Sequence, residues 1–474
     1  MKQVRSLTLM GTLLFLALIG LALSATLLIA CQPATSTASP ARTSSSAGAS
    51  TATSPAAVLP DGLAGANNRR EIRIHVTLSD ADREMLATII PRLEGDFPDL
   101  HIVVEPLSDR EGALLKTRAA IGELPDILEG PEILLKALHQ SGDILSLEDR
   151  IVTGNLLAPF KPDALQLVKT TGGHICGVRA ARPTPMVFFY NRGLFRRLSI
   201  HPPDNAQAWR KAVTILADGG FIPLAIGAQE NWRLVQLLDQ ATLCDDPNGL
   251  LDWSTGTPVL NVHAATAGIR RLVPLVHLGL LDADARTTDS AKAMSLLRNG
   301  QAGMLFDEIS SLRNAGDQAD LIDILPGNPF SDPGKEFTSS RRFSGGASTG
   351  GFAVSRFTGE HDPVVRFLFA YLAWKSAYET TTYGMPPLMT EAFAAEAEAQ
   401  APLRRGPVAE SGVFPRMAER LASPGARMTR NMWEAPAPIR RETDMLLGAI
   451  LAGGSDWESI LSAWESDPTG GAHD

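Results

Sequence analysis

Gly346-Ala347-Ser348-Thr349-Gly350 has the spacing of a nucleophile elbow, in which a serine hydroxyl is raised off a strand end to attack an acyl carbon. That chemistry needs a strand before the serine, a helix after it, and an acid and then a histidine downstream. Here a polar Arg/Ser/Gly run precedes Ser348 and a strand-like Phe352-Ala353-Val354 follows it. The later histidines are His361, beside Glu360, and His473 in the tail, so the motif reads as a glycine loop. His174-Ile175-Cys176 places two metal-ligand types on one face of a strand, but the remaining ligands do not stand at a recognisable spacing and no metal is expected. No glycine-rich phosphate loop with a lysine is present. Asp307-Glu308 follows the apolar Met304-Leu305-Phe306, which puts a carboxylate pair at a strand end facing a cleft, or makes Asp307 the N-cap of the next helix. No catalytic set and no cofactor site emerge. Binding in a crevice, without an enzymatic step, is the chemistry that these residues support.

The elements that must position them alternate. Ile72, Ile74 and Val76 keep strand periodicity, Ser79 or Asp80 can cap the next element, and Leu86, Ile89, Ile90, Leu93 and Phe97 recur at helical spacing. Pro91 falls inside that helix, and His101–Glu105 is β-rich again. Helical runs come next at 110–121, 131–139, 206–216 and 264–278, with strands near 185–190 and 352–354 and closing helices near 363–376 and 455–463. This pattern predicts an α/β body with a parallel sheet covered by helices. About 400 residues beyond the N-terminal region exceed one hydrophobic core and suit two lobes. A formal charge of −9 with no basic run argues against nucleic acid and against an anionic lipid surface as partners.

At the N-terminus, Lys2 and Arg5 precede the uncharged stretch Ser6–Ala30, and Leu28-Ile29-Ala30-Cys31 resembles the lipobox of bacterial lipoproteins. The resemblance implies a signal peptide over 1–30 and a diacylglyceryl group on Cys31, which anchors the body on the extracytoplasmic face of the cell membrane. An uncleaved signal anchor is the alternative. Residues 31–68 are the lipidated cysteine and a Ser/Thr/Ala/Pro tether, whose composition predicts a coil with a reach of roughly 35 Å.

Gly122-Glu123-Leu124-Pro125-Asp126-Ile127, Phe188-Phe189-Tyr190-Asn191-Arg192-Gly193-Leu194-Phe195, Pro202-Pro203-Asp204 with Trp209, Pro223–Gly227 with Asn231-Trp232, Leu297–Met304, Gly350–Ser355 and Tyr383-Gly384-Met385-Pro386 occur in that order. Together they resemble the family 1 extracellular solute-binding proteins of ABC importers, the group that includes maltose-binding protein. The resemblance implies a two-lobed periplasmic-binding-protein-like fold (type II) with three interlobe crossings, near 182–187, 300–306 and 345–352. The first lobe is expected at 71–183 plus 307–344, the second at 184–303 plus 345–467, and a frayed tail at 468–474. It further implies a monomer that captures a small solute, most readily a mono- or oligosaccharide, and hands it to permease subunits. A sensory protein of the same fold, or a polyol or amine binder, stays open. The ligand-binding residues implied are Trp232 as the stacking platform, Glu129 as a hydroxyl acceptor, Asp307 and Glu308 at the crevice, and Tyr190, Ser79, Thr349 and Gly350 by position. Trp209 and Trp374 sit at core spacing. Cys176 and Cys244 can pair in an oxidising compartment, and that alternative stays open; they read as buried free thiols, since a bridge between lobes would hinder hinge motion.

Overall fold

The computed structural model describes residues 69–76, 78–106, 113–252, 258–335, 341–346, 350–400, 403–430, 432, 435, 437–453 and 456–466. The expectations for the signal peptide, Cys31, the tether, Ser348, Thr349 and the tail lie outside the described residues. Along the chain, β1 (Arg70–Val76), α1 (Asp80–Asp96), β2 (Leu100–Pro106), β3 (Ile127–Gly130), β4 (Leu165–Lys169) and β5 (Ile175–Ala180) come first. Next are β6 (Thr184–Asn191), α2 (Ala206–Asp218), β7 (Ile222–Ile226), α3 (Trp232–Thr242), α4 (Val262–His277), α5 (Ser290–Arg298), β8 (Ala302–Glu308) and β9 (Ile322–Ile324). The last are β10 (Arg342–Phe343), β11 (Gly345–Gly346), β12 (Gly351–Val354), α6 (His361–Tyr383), β13 (Arg427–Met428), α7 (Ala437–Leu451) and α8 (Asp456–Ser466).

Two sheets organise these elements. The first has six strands in the order β2-β1-β3-β12-β5-β4, and the second has five, with β9-β6-β8-β7 in line and β11 paired to β6. β1 runs parallel to β2 and β3, as its βαβ pattern predicts. The alternation of Ile72, Ile74 and Val76 buries them under α1, whose Met85, Leu86, Ile89 and Leu93 occupy the facing stripe. Ser79 caps α1 by accepting from Asp82 N–H, and Asp82 returns the contact by accepting from Ser79 N–H at 3.0 Å. In the second sheet, β8 is buried from Ala302 to Asp307 because it lies between β6 and β7 with helices over it. Trp209 is fully buried against Phe188 and Phe330, with ring centroids 5.3 and 4.7 Å away, and Trp374 is buried with its indole N–H donating to Asp96 at 3.0 Å. Both tryptophans are core residues.

Strand pairing departs from the expected division in three places. Gly351–Val354, expected with the second lobe, lies between β3 and β5 of the first sheet, and α6 packs on α1 and β12. Asp307-Glu308 and β9, expected with the first lobe, belong to the second sheet. Gly300–Phe306, expected as a crossing, leads into β8 and stays inside that sheet. For β8 and β12 the reason is the same: a strand buried on both faces carries no alternation, so its residues do not reveal which sheet it joins. Helices α7 and α8 pack on α3 and α4 beside the second sheet. Cys176 and Cys244 are free thiols, and burial pushes both up, Cys244 to about 12.

Candidate functional site

Where the C-terminal ends of β1 and β3 face the end of β8, a cleft of about 710 Å³ opens between the two sheets. That volume lies in the range of small-molecule sites, roughly 300–1,000 Å³. From the first sheet, its walls are Leu78 and Ser79 before α1 with Asp80, Asp82 and Arg83 in its first turn, the end of β3 (Glu129, Gly130), the end of β5 (Arg179, Ala180) and the start of β12. From the second come Gln229, Glu230 and Arg233 before and within α3, Asp289 and Ser290 at the start of α5, and Asp307 and Glu308 ending β8. Among the described lining residues the aromatic side chain is Phe352, itself 6% exposed.

Two ionic assemblies stiffen these walls. Asp307, 1% exposed, accepts from Arg233 Nε at 3.1 Å, from the Ser290 hydroxyl at 2.5 Å and from Glu308 N–H at 2.9 Å. Arg233 also donates to Glu230 at 2.6 Å. Burial works against its charge, but Asp307, Glu230 and Glu308 outweigh that and raise its proton affinity. The second assembly centres on Glu379 of α6, which pairs with Arg182, with Lys375 at 2.7 Å and with Arg313 at 3.6 Å. Arg313 continues to Asp82 of α1 at 2.9 Å. Burial pushes the Asp82 carboxyl up, yet Arg313, Lys375 and the Ser79 hydrogen bonds overcome it and hold it at about 2. Burial likewise pushes Glu379 up, and the three cations bring it below its ordinary value. Arg182 spends its guanidinium on Glu379, the Thr380 hydroxyl at 2.9 Å and Pro386 O at 2.8 Å, so the segment between β5 and β6 is fastened to α6.

The structure brings Ser79, Glu129, Asp307, Glu308 and Gly350 to this cleft. Gly350 lies so close to the turn after β3 that a Cβ there would stand 2.5 Å from Gly130 O. Two expected residues stand elsewhere. Trp232 does not line the cleft; it is 8% exposed in the core of the second sheet, with the Arg233 guanidinium 4.4 Å over its ring and its indole N–H on Glu230 at 3.2 Å. Its position heading a helix after a buried strand is a packing position, because α3 is buried along its whole length. Tyr190 packs on Phe195, with centroids 4.9 Å apart, and burial and then Asp323 raise its hydroxyl. Sequence reasoning passed over Arg233, Arg182, Arg313 and Glu379. The signal for Glu379 was a charge four residues after Lys375 inside the apolar run of α6.

No family model matches the sequence, and no curated protein matches it. Solved structures do match the fold. A chitin oligosaccharide binding protein superposes with a TM-score of 0.63 at 20% identity, over 84% of this chain and 98% of that one. The maltose/maltodextrin-binding domain MalE of Bdellovibrio bacteriovorus, bound to maltotriose, gives 0.61 at 15% identity over 84% and 98%. The GacH receptor of Streptomyces glaucescens, solved unliganded and with acarbose, gives 0.58 at 14% identity over 85% and 97%. The chain therefore has the two-lobed α/β fold of periplasmic binding proteins, built around a cleft between lobes.

Proposed function

We propose that this chain is the extracytoplasmic solute receptor of an ABC importer, holding a mono- or oligosaccharide in the interlobe cleft and delivering it to a membrane permease. The observation that carries this reading is the roughly 710 Å³ cleft between the two sheets, lined by charged side chains set among apolar surface, in a fold shared with proteins whose names specify chitin oligosaccharide, maltotriose and acarbose. Carboxylates and guanidinium groups supply the planar, charged acceptors and donors that sugar hydroxyls need. Glu129 and Ser79 on one wall and Glu308 on the other are the proposed hydroxyl contacts, with Gly350 offering backbone and Thr349 beside it. A ligand that touches both walls favours the closed arrangement, and closure about the connecting strands is the signal that a permease would read. The lipid on Cys31 would keep the receptor at the membrane face. The charged lining, with Phe352 its one described aromatic, supports polyols or amines as the second reading.

A thermal-shift panel on the purified chain tests this. Chito-oligosaccharides, maltodextrins, monosaccharides, polyols and amines are compared, and a ligand at 100 times its dissociation constant stabilises the fold by about 2.7 kcal/mol. At least one sugar is expected to shift the transition, and Glu129→Gln is expected to weaken that shift. A panel in which no sugar stabilises the protein overturns the carbohydrate reading, and stabilisation by an amine or polyol alone replaces it.

A further inference from the structure

The buried helix α3 turns Gln236, Asp239 and Gln240 toward the strands that carry the chain from one sheet to the other. Gln240 Oε1 accepts from Ser344 N–H at 2.8 Å, and its amide donates to Arg342 O at 3.1 Å. Thr429 Oγ1, just past β13, accepts from Gly345 N–H at 3.0 Å and donates to Asp239 Oδ2 at 2.5 Å. Gly345-Gly346 in turn pairs with Pro185 and Thr184 where β6 begins, right after the Arg182 segment. α3 thus holds the segment 342–345 and, through the pairing of β11, reaches the start of β6; Asp239 is the ionisable member of its polar row.

We propose that Asp239 is a positioning residue of the hinge: as a carboxylate it fixes β11 through Thr429, and as an acid it loosens that hold. Lobe geometry then answers to pH through a group outside the cleft. The three groups on Asp239 are all donors: the Thr429 hydroxyl, Gln236 Nε2 at 3.1 Å and Leu250 N–H at 2.6 Å. A proton taken from water turns one carboxylate oxygen into a fourth donor facing them. Among the three, only the Thr429 oxygen also has lone pairs, one for Asp239 and one for Gly345 N–H, so the hydroxyl gives up its charge-assisted bond to the carboxylate and must redirect its own hydrogen. The anchor of β11 weakens as a result. Asp239 is wholly buried, and burial pushes its carboxyl up to about 7 against the three hydrogen bonds, so the change falls in the neutral range.

Charges on the surrounding elements are engaged elsewhere. Arg271 of α4 pairs with Asp245 and Asp332, Asp444 of α7 pairs with Arg286, Arg342 of β10 donates to Leu243 O, and Asp246 accepts from Asn261. Burial and the three hydrogen bonds, with no neighbouring charge among the described residues, set its proton affinity.

The test needs no ligand, so it is independent of the sugar reading. Hydrogen exchange of the segment 341–346 in the full chain is measured by mass spectrometry at pH 5.5 and 8.5, with intrinsic rates divided out. Exchange is expected to be several-fold faster at pH 5.5 in the natural protein and equal at both values in Asp239→Asn. Thr429→Val, which keeps the shape and removes the relay, is expected to exchange fast at both values, and Thr429→Ser to restore the difference. A pH response that survives in Asp239→Asn, that is absent from the natural protein, or that runs the other way, with faster exchange at pH 8.5 as hydration of a burial-raised carboxyl on opening gives, overturns the proposal. Should Asp239→Asn fail to fold, the Thr429→Val and Thr429→Ser pair decides: a pH response unchanged by Thr429→Val overturns it.

Discussion

Asp82→Asn removes one carboxylate from the chain of charges that joins α1 to α6 and leaves Arg313 buried beside Glu379, 3.6 Å away. Holding the Asp82 carboxyl at about 2, against an ordinary value of 3.8, corresponds to about 2 kcal/mol of preference for the ionised form in the folded chain. A carboxyl depressed on folding contributes stability that is complete above about pH 4 and is lost as the pH falls towards 2. Asparagine keeps the size and one acceptor for the α1 cap, so the capping loss is small beside the loss of charge. Urea unfolding followed by tryptophan fluorescence at pH 7 should therefore give a variant less stable by about 2 kcal/mol. Between pH 4 and 2 the natural protein should lose that increment while the variant does not. A variant within about 0.5 kcal/mol of the natural protein at pH 7, the range of an ordinary surface substitution, would refute the claim that this ion pair holds the wall.

Gly350→Ala forces a methyl group to within 2.5 Å of Gly130 O, so it should cost about 1–3 kcal/mol and lower the thermal midpoint measured by differential scanning fluorimetry. Trp232→Ala should act as a core deletion, destabilising by roughly 3–5 kcal/mol in chemical denaturation. An equally stable variant with weakened ligand binding would return Trp232 to the site.

Much of the fold could be read from periodicity. β1, α1 and β2 fall where alternation and helical spacing put them, and the run Phe188–Tyr190 lies inside β6. Membership of a sheet was harder, because β8 and β12 are buried on both faces and their residues look alike from either side. At the site, Glu129, Asp307 and Glu308 were legible as carboxylates at strand ends. Arg233 was not. Its role depends on Asp307, 74 positions away in the chain, and such a pairing leaves no local pattern. The tryptophan beside it drew attention instead, since indole suits both a sugar face and a core.

β12 also has a consequence for how the protein is made. It is the strand that joins β3 to β5, so until Gly351–Val354 arrives the first sheet exists as two halves, β2-β1-β3 and β5-β4, each with an unpaired edge. The chain that builds the second sheet, β6 to β9, must emerge before that gap can be filled. Non-local pairing of this kind slows folding, and open strand edges invite pairing with other chains. The lobe that begins first is therefore completed late, and in the interval its two open edges are available for pairing with other chains.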